Sequence, residues 1–322
     1  MSAHRLDPAP GTTADVLCRE HSPVLTVDAG DTVIVGSLDA SGHLARPRSG
    51  GDEQPKMFPA SRGHCLTGPI AIRGARPGDM LAVRLVSLRP GTWGWTVAAA
   101  RDTPVTRRLG LADGPPAWLL WELDAAAGTA TCDRGLMRRI APFLGVTGMP
   151  PPEPGEHSTI PPRALGGGNI DCRELVAGST LYLPVTVPGA LLYLGDGHAA
   201  QGDGEAGGTA IECAMTTEAV LDLASGRPLD SIHAETPAGR ITFGFAADLN
   251  VAMGDALAAM VSWLQALYEL DRGTALALAS TCADLRITQV ANQTWGVHAV
   301  LPDGVLVRTN HDHGGSGGPR PA

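Results

Sequence analysis

Alternation of hydrophobic and polar residues dominates the first two-thirds of the chain. Residues 22–36 read SPVLTVDAGDTVIVG, in which Val24 and Thr26 alternate with Leu25 and Val27 before an Ala-Gly-Asp turn. A period of two is typical of β-strands, because successive side chains of a strand point to opposite faces. The segment therefore predicts either a hairpin or two short strands.

The same arrangement recurs along the chain. Residues 69–88 read as a strand, a Pro-Gly-Asp turn and a second strand, and a Val-Pro-Gly turn separates strand-like runs at 181–187 and 189–194. Residues 239–245 and 299–307 follow the same pattern. Glycine and proline spread between short apolar runs favour strands joined by turns, so the sequence predicts a mainly β protein.

A helical pattern is concentrated near the C-terminus. Between residues 253 and 270, apolar side chains recur at intervals of three and four, at Leu257, Met260, Val261, Leu264, Leu267 and Tyr268. This spacing predicts an amphipathic helix with Asp255 as a candidate cap, and a second helix over about 273–282. The apolar run 256–268 is expected to be too short to span a bilayer.

These patterns suggest a division of the chain into three parts. Residues 1–21 are an N-terminal extension, and residues 22–309 form the main unit. Within it, 22–250 are rich in strands, about 251–284 are helical and 285–309 are final strands. Residues 310–322 are polar and rich in glycine, which predicts a disordered tail whose His311 and His313 are not ligands. The linker candidates are Gly50–Gln54 and Gly148–Gly155.

Composition and charge narrow the functional classes. The 322 residues carry a formal net charge of -9, which argues against a nucleic-acid partner because phosphate binding needs a basic field. Lys56 is the only lysine and lies outside any phosphate-binding loop, so an amidase built on a catalytic lysine would have to use it. The six cysteines form no C-x-x-C pair, and no apolar leader begins the chain. The chain is therefore expected to be cytoplasmic, with reduced thiols and no membrane partner.

The stretch GALLYLGDGHAAQGDGEAGGTAIE, residues 189–212, holds the most distinctive charged groups. Asp196 and His198 are two residues apart, and Asp203 and Glu205 repeat that spacing one turn later. In extended backbone such pairs lie on one side, where they can offer oxygen and nitrogen ligands to a metal. The alternative is a polar surface loop that turns on glycine.

Two other motifs fit this stretch poorly. Gly195, Gly197 and Ala200 match the G-x-G-x-x-A dinucleotide pattern, but Asp196 would then lie near a pyrophosphate and later glycines would break the required helix. An EF-hand loop starting at Asp196 fails because its third and fifth positions are His and Ala.

Two smaller groups add candidates. Asn169 and Asp171 follow three glycines, so Asp171 can be a further carboxylate ligand, although an Asx-rich turn explains the same residues. His64 precedes a predicted strand and is either structural or a ligand. A His64–Cys65 dyad is not expected, because neighbouring side chains of a strand point to opposite faces. We therefore expect neither Cys65 nor Cys172 to be a nucleophile.

Taken in order, these motifs resemble the acetamidase/formamidase family. The matching stretches are HCLTGPI from His64, GARPGD ending at Asp79, PFLGVTGMP from Pro142, GGNID ending at Asp171, GSTLYLPV from Gly178, GDGHAAQGDGE with TAIE ending at Glu212, and ADLRITQVAN from Ala283. The resemblance implies a β-sandwich, jelly-roll-like core with an α+β remainder at the C-terminus, a homodimer, and a divalent metal, zinc with calcium as a companion. It implies Asp171, Asp196, His198, Glu205 and His64 as metal ligands.

The chemistry implied is hydrolysis of a small aliphatic amide to a carboxylate and ammonia. Glu205 is the expected general base, and His64 is a further catalytic candidate. Asn169 or the backbone N–H groups of the glycine loops are expected to stabilise the tetrahedral oxyanion, and Asn169, Gly195 and Gly197 are expected to bind the substrate. Asp203 and Glu212 are expected to orient the ligands. Two alternatives stay open: a metal hydrolase of a larger amide or cyclic imide, and a non-catalytic β protein stabilised by a metal.

Overall fold

The computed structural model describes residues 2–98, 102–224, 226 and 228–308. The tail 310–322, with His311 and His313, lies outside these residues. The strands up to the first helix are β1 (Ala3–Leu6), β2 (Thr13–Ala14), β3 (Val16–Cys18), β4 (Leu25–Val27), β5 (Asp31–Ser37), β6 (Leu66–Ile72) and β7 (Met80–Ala98). The short helix α1 (Pro104–Arg108) follows.

The remaining elements contain most of the motifs quoted above. The next strands are β8 (Ala117–Asp124), β9 (Thr129–Cys132), β10 (Met137–Arg139), β11 (Phe143–Gly148), β12 (Glu156–Ser158), β13 (Gly167–Asn169), β14 (Thr180–Pro184), β15 (Leu192–His198), β16 (Glu212–Leu223), β17 (His233–Thr236) and β18 (Gly239–Ala246). The chain continues with α2 (Leu249–Tyr268), α3 (Arg272–Cys282), β19 (Asp284–Gln289) and β20 (Trp295–Leu301). The mainly β fold with helices near the C-terminus is confirmed.

Among the described residues, eighteen strands form one connected sheet, and β3 pairs with β12 outside it. The long strands β7 and β16 pair antiparallel, and β16 also pairs with β5 and β15. β4 and β5 are two separate strands rather than a hairpin, because β4 pairs with β6 and β5 pairs with β16 and β1. Three strands lie within the first 21 residues, and β1 and β2 pair with strands of the main sheet.

The largest apolar cluster lies between the strands that carry the site. Val33, Ile70, Leu81, Leu192 and Leu221 are all fully buried in it. Burial of apolar side chains of this size stabilises the fold by about 1.5–3 kcal/mol each. The strands that present the site are therefore held by a continuous core.

The helix α2 begins earlier than its sequence pattern suggested. Asp248 is its N-cap and accepts hydrogen bonds from the backbone N–H groups of Asn250 and Val251, at 2.7 and 3.2 Å. The prediction of Asp255 as the cap was wrong, because Asp255 lies inside the helix. The second helix, α3, agrees with its predicted range within a residue.

By length and mean hydropathy, α2 passes a simple test for a membrane-spanning helix. Its 20 residues exceed the run of 13 counted from the sequence, so the expectation that this segment is too short to span does not hold on length. The core helix of a folded domain passes the same test, and α2 packs against β18 and β20.

The packing of α2 on β18 predicts opposite effects for two glycines. A Cβ at Gly244 would lie 2.0 Å from the carbonyl oxygen of Ala252, whereas a Cβ at the exposed Gly254 meets nothing within 4 Å. We expect Gly244→Ala to lower the free energy of unfolding by about 1–3 kcal/mol or more. Gly254→Ala should raise it by about 0.5–1 kcal/mol, because alanine favours the helix. Urea unfolding of both variants measures this, and equal midpoints would contradict the close packing.

Candidate active site

Strand β11 lies at the centre of the site. Val146 is paired with Asn169 of β13 on one edge and with Gly195 of β15 on the other. The carbonyl oxygen of Gly145 accepts a hydrogen bond from the backbone N–H of Ile170 at 2.9 Å. The residues that follow Asn169 and the end of β15 therefore meet on the two sides of Gly145.

Gly145 leaves the space in which two carboxylates and an imidazole converge. A Cβ built on it would lie 2.4 Å from Asp196 Oδ2, 2.7 Å from Asp171 Oδ1 and 2.9 Å from His198 Cε1. Distances this short are not tolerated, so any other residue would displace these groups. No pattern in the sequence distinguishes Gly145 from the other glycines of its motif.

Strand pairing also brings Glu212 to the cluster. His198 of β15 lies opposite Glu212 of β16, and its Nε2 is 3.2 Å from Glu212 Oε2 and 3.4 Å from Asp196 Oδ1. The other oxygen, Glu212 Oε1, accepts a hydrogen bond from the backbone N–H of Ala210 at 2.9 Å. The Asp196–His198 spacing thus puts both side chains in one cluster, as the sequence suggested.

Three of the acidic residues adopt left-handed backbone conformations. The φ angles are 54° at Asp171, 57° at Asp196 and 44° at Glu205. Such a conformation costs an L-residue roughly 1–2 kcal/mol. It is retained where the surrounding structure fixes it, and it concentrates at functional sites. Gln201 helps to fix the first, since its Nε2 donates a hydrogen bond to the carbonyl oxygen of Asp171 at 2.7 Å.

The loop that carries Glu205 is fixed by β19. The backbone N–H of Gly204 donates to the carbonyl oxygen of Thr288 at 3.1 Å, and the N–H of Val290 donates to the carbonyl oxygen of Gly204 at 2.7 Å. These bonds hold the ADLRITQVAN and GDGHAAQGDGE stretches together in space, although about 80 residues separate them in the chain. The C-terminal motif supports the loop rather than supplying the acidic groups.

His64 lies at the edge of this cluster. Its Nε2 is 3.9 Å from Asp196 Oδ2, and its Nδ1 is 3.1 Å from Thr159 Oγ1. Its backbone N–H also donates to Thr159 Oγ1, at 2.8 Å. The ring is therefore oriented towards the acidic groups without being in closest contact with them.

A cavity of about 300 Å³ opens onto the cluster. His198 is buried and does not line the cavity. Six other predicted site residues line it: Asn169, Asp171, Asp196, Glu205, Glu212 and His64. Besides His198, three predicted residues do not line it. Gly195 and Gly197 are enclosed by neighbouring strands, because a Cβ at either would meet backbone of Cys65 or Cys213 within 3.1 Å. Asp203 instead pairs with Arg173 at 2.9 Å.

Sequence reasoning missed several residues of the cavity wall. Lys56 lines it together with Trp95, Thr209 and Asn292, although no role for the lone lysine was expected. Asn292 ends the ADLRITQVAN stretch, so the motif itself could have indicated it. Lys56 and Trp95 gave no such signal, because they come from segments far apart in the chain.

Burial and mutual repulsion shift the pKa values of the acidic groups. Burial, together with the neighbouring Asp196, raises the pKa of Asp171 well above its ordinary value, and burial with Asp171 does the same for Glu205. Burial raises the pKa of Glu212 to about 7, although His198 opposes the shift. Burial also disfavours ionised Asp196, but the charges of His64 and His198 outweigh it and hold the pKa of Asp196 below its ordinary value.

The side chains fit a divalent metal. Both oxygens of Asp171 and Glu212 Oε2 are buried and have no hydrogen-bond partner among the residues that the structure describes. Two sets of three residues each offer ligand atoms within 4.8 Å of one another: Asp171, Asp196 and His198, and His198, Glu205 and Glu212. Carboxylate oxygens and imidazole nitrogen are suitable ligands for zinc, and a cation would satisfy the unpartnered oxygens.

These pKa shifts predict the pH dependence of metal-free stability. Asp171, Glu205 and Glu212 have folded-state pKa values above their unfolded ones, so the folded state binds more protons. The stability they contribute is present below the unfolded pKa and is lost as the pH rises through the folded pKa. In chelator, the melting temperature should fall between about pH 5 and pH 8. Saturating Zn²⁺ should flatten this slope, and a melting temperature that rises over this range without metal would contradict the shifts.

Comparisons with known proteins support the family resemblance of the motifs. The sequence profile of the acetamidase/formamidase family matches residues 17–154 and 153–237. A relative from Schizosaccharomyces pombe with a provisional formamidase name is 27% identical over 63% of this chain, and an acetamidase from Mycolicibacterium smegmatis is 27% identical over 44%. The alignments cover 64% and 48% of these relatives, so the chain spans less than two thirds of either.

A solved structure extends the likeness to nearly the whole chain. The crystal structure of an acetamidase from Bacillus halodurans superposes with a TM-score of 0.82 at 28% identity, over 92% of this chain and 97% of that one. The resemblance read from the motifs is confirmed, and these relatives are named formamidase or acetamidase. On the extent of the profile match, this chain belongs to the acetamidase/formamidase family.

Proposed function

We propose that this chain hydrolyses a small aliphatic amide, of the formamide or acetamide type, to a carboxylate and ammonia. The observation that carries the proposal is the convergence of four carboxyl groups and two imidazoles on one cavity. Resonance makes an amide carbonyl a poor electrophile. A site that cleaves it must therefore both activate water and polarise the carbonyl.

Asp171, Asp196 and His198 would hold the metal, for which the imidazole favours zinc over calcium. When bound, a divalent metal lowers the pKa of water and polarises a carbonyl oxygen. Glu212 supports His198 from the opposite strand, at 3.2 Å. The backbone N–H of Ala210 holds the other oxygen of Glu212, so that Glu212 Oε2 has a fixed position beside the proposed metal site.

Glu205 acts as the general base. It lines the cavity and lies in a loop fixed to β19, so its carboxylate has a defined position. It accepts a proton from the attacking water and passes one to the leaving nitrogen, so that ammonia departs instead of an amide anion. Burial raises the pKa of Glu205, which makes its carboxylate a stronger base than an ordinary one.

Asn169 and His64 orient the substrate. Asn169 Oδ1 is buried without a hydrogen-bond partner and can accept a hydrogen bond from the substrate –NH₂ group. His64, with Nδ1 at 3.1 Å from Thr159, presents its other nitrogen to the cavity, where it can donate to the developing oxyanion. The two residues would distinguish the nitrogen end of the amide from the oxygen end.

The size of the site favours a second candidate, an amide with a larger acyl group. Acetamide has four non-hydrogen atoms, whereas the cavity of about 300 Å³ adjoins another of about 240 Å³. Trp95 lines both, and its ring centroid lies 5.6 Å from that of Trp118, which lines the second. An apolar acyl substituent would contact these rings.

One assay distinguishes the candidates. Ammonia release should be measured on formamide, acetamide, butanamide and phenylacetamide, with ring opening of succinimide followed in parallel. We expect turnover that chelation abolishes and Zn²⁺ restores, and that is highest on short amides. A higher kcat/KM on phenylacetamide than on short amides would support the larger substrate. This kcat/KM should then fall about tenfold in Trp118→Ala but not in Trp93→Ala. Metal-loaded protein inactive on every compound would leave only the structural metal site.

The remaining expectations stay predictions. A homodimer, a cytoplasmic location and a calcium companion ion rest on the resemblance or on sequence features. The acidic net charge of -9 supports the expectation that nucleic acid is not a partner.

A further inference from the structure

We propose that Cys172, Glu174 and His298 form a second metal site, for a cation that accepts thiolate ligands, such as Zn²⁺. None of the three lines the cavity described above. The site does not depend on the proposed amidase activity. It lies directly after Asp171 in the chain and draws its third ligand from β20.

Two of the separations among the three ligand atoms are those of a tetrahedral zinc site. Cys172 Sγ and His298 Nε2 each lie 3.4 Å from Glu174 Oε2, and one atom of each residue lies within 4.8 Å of the others. Zinc bonds of the usual lengths at tetrahedral angles separate sulfur, nitrogen and oxygen ligands by roughly 3.4 to 3.6 Å. The observed spacing therefore accommodates a cation without rearrangement of these side chains.

The ring of His298 gives independent support. It is fully buried, and its Nε2 has no hydrogen-bond partner although it faces Glu174. Its Nδ1 is held by Thr288 Oγ1 at 2.8 Å. A buried ring nitrogen left unpaired is costly, and support of the second nitrogen is the arrangement that orients metal-binding histidines.

Two arginines near the site do not exclude a cation. Arg173 Nε and Arg286 Nη1 contact the other oxygen, Glu174 Oε1, at 3.3 and 3.0 Å, which leaves Oε2 to the cysteine and the histidine. Each arginine has a second carboxylate, Asp203 at 2.9 Å and Asp284 at 3.4 Å respectively.

A divalent cation fits the charges around the site. The two arginines offset Asp203 and Asp284, so the Glu174 carboxylate and a Cys172 thiolate together offset one divalent cation. Thiolate and imidazole ligands select zinc-like ions over calcium and magnesium. The site should therefore bind Zn²⁺ or Co²⁺ and ignore Ca²⁺.

Cobalt provides the test, because Co²⁺ bound to a thiolate gives a charge-transfer absorption band in the near ultraviolet. Metal-stripped full-length protein should be titrated with Co²⁺ alone. We expect this band in the wild type and at least a tenfold smaller amplitude in Cys172→Ser. The matched control is Cys132→Ser, another buried free cysteine, which should keep the band. His298→Gln should weaken Co²⁺ binding at the same band by at least tenfold.

Results on the wild type are sufficient to overturn the proposal, and one result on a variant would also do so. Absence of a thiolate band at saturating Co²⁺ would do so even if Cys172→Ser failed to fold, and so would a band of undiminished amplitude in folded Cys172→Ser. X-ray absorption of the zinc-loaded wild type should show a sulfur ligand, and its absence would count equally against the site. None of these measurements uses amide hydrolysis, so an inactive enzyme would leave the outcome readable.

Discussion

Gly145→Ala is expected to abolish metal binding at the cavity and to lower amide hydrolysis by at least about a hundredfold. The added methyl group would lie 2.4 Å from Asp196 Oδ2 and 2.7 Å from Asp171 Oδ1. Asp171 and Asp196 both have a left-handed backbone conformation and a buried side chain, so their carboxylates have little room to move away from the methyl group. Metal titration followed by ammonia release on acetamide measures both effects.

The matched control is Gly91→Ala in β7. A Cβ at Gly91 would come no closer than 3.5 Å to any neighbouring atom, so the variant should bind metal like the wild type. Circular dichroism and thermal unfolding should show that Gly145→Ala is folded. Full metal content and normal turnover in folded Gly145→Ala would mean that the carboxylates do not converge on a shared ion.

Glu205→Gln is expected to lower kcat by about 10²–10⁴-fold while the bound metal per chain is retained. The amide keeps the size and the polarity of the side chain but cannot accept the proton of the attacking water. Glu205 also belongs to one of the two sets of residues with metal-ligand spacing, so the metal content decides between its roles. Single-turnover kinetics and metal analysis of the same sample measure both quantities.

Two comparisons make the Glu205 result interpretable. His198→Ala removes a nitrogen common to both sets of candidate ligands, so bound metal and turnover should fall together. Glu218→Gln changes a half-buried carboxylate that contacts Ser87 outside the cavity and should have little effect. Loss of metal in Glu205→Gln would make Glu205 a ligand, and near-normal kcat would remove it from the proton-transfer step.

The sequence predicted most of this architecture because its signals are local. Alternation and Pro-Gly-Asp turns mark strands over a few residues, and the Asp196–His198 spacing places two side chains in one cluster wherever the strand lies. The helices also followed from local spacing, although the cap of α2 is Asp248 and not Asp255. The family motifs extended this reading to the acidic groups.

What the sequence did not predict depends on pairing between distant strands. Gly145 matters only because β11 lies between β13 and β15, and Cys172 and His298 meet only after β20 has paired. Lys56 reaches the cavity from a segment without a regular pattern. Asp203 and Glu205 belong to one motif, but their side chains have different surroundings. Glu205 has a left-handed backbone conformation, whereas Asp203 forms an ion pair with Arg173.

The hydrogen bonds between the Glu205 loop and β19 link the site to the C-terminal strands β19 and β20. The amide protons of Gly204 and Val290 both take part in these hydrogen bonds. Opening of the β19–β20 hairpin would expose both amide protons to solvent exchange at the same time. It would also free the loop that holds Glu205 in position. The exchange rates of the two protons should therefore report on one cooperative opening unit. The lifetime of a correctly placed base would then be set by the C-terminal hairpin and helices, not by the core that holds the metal ligands.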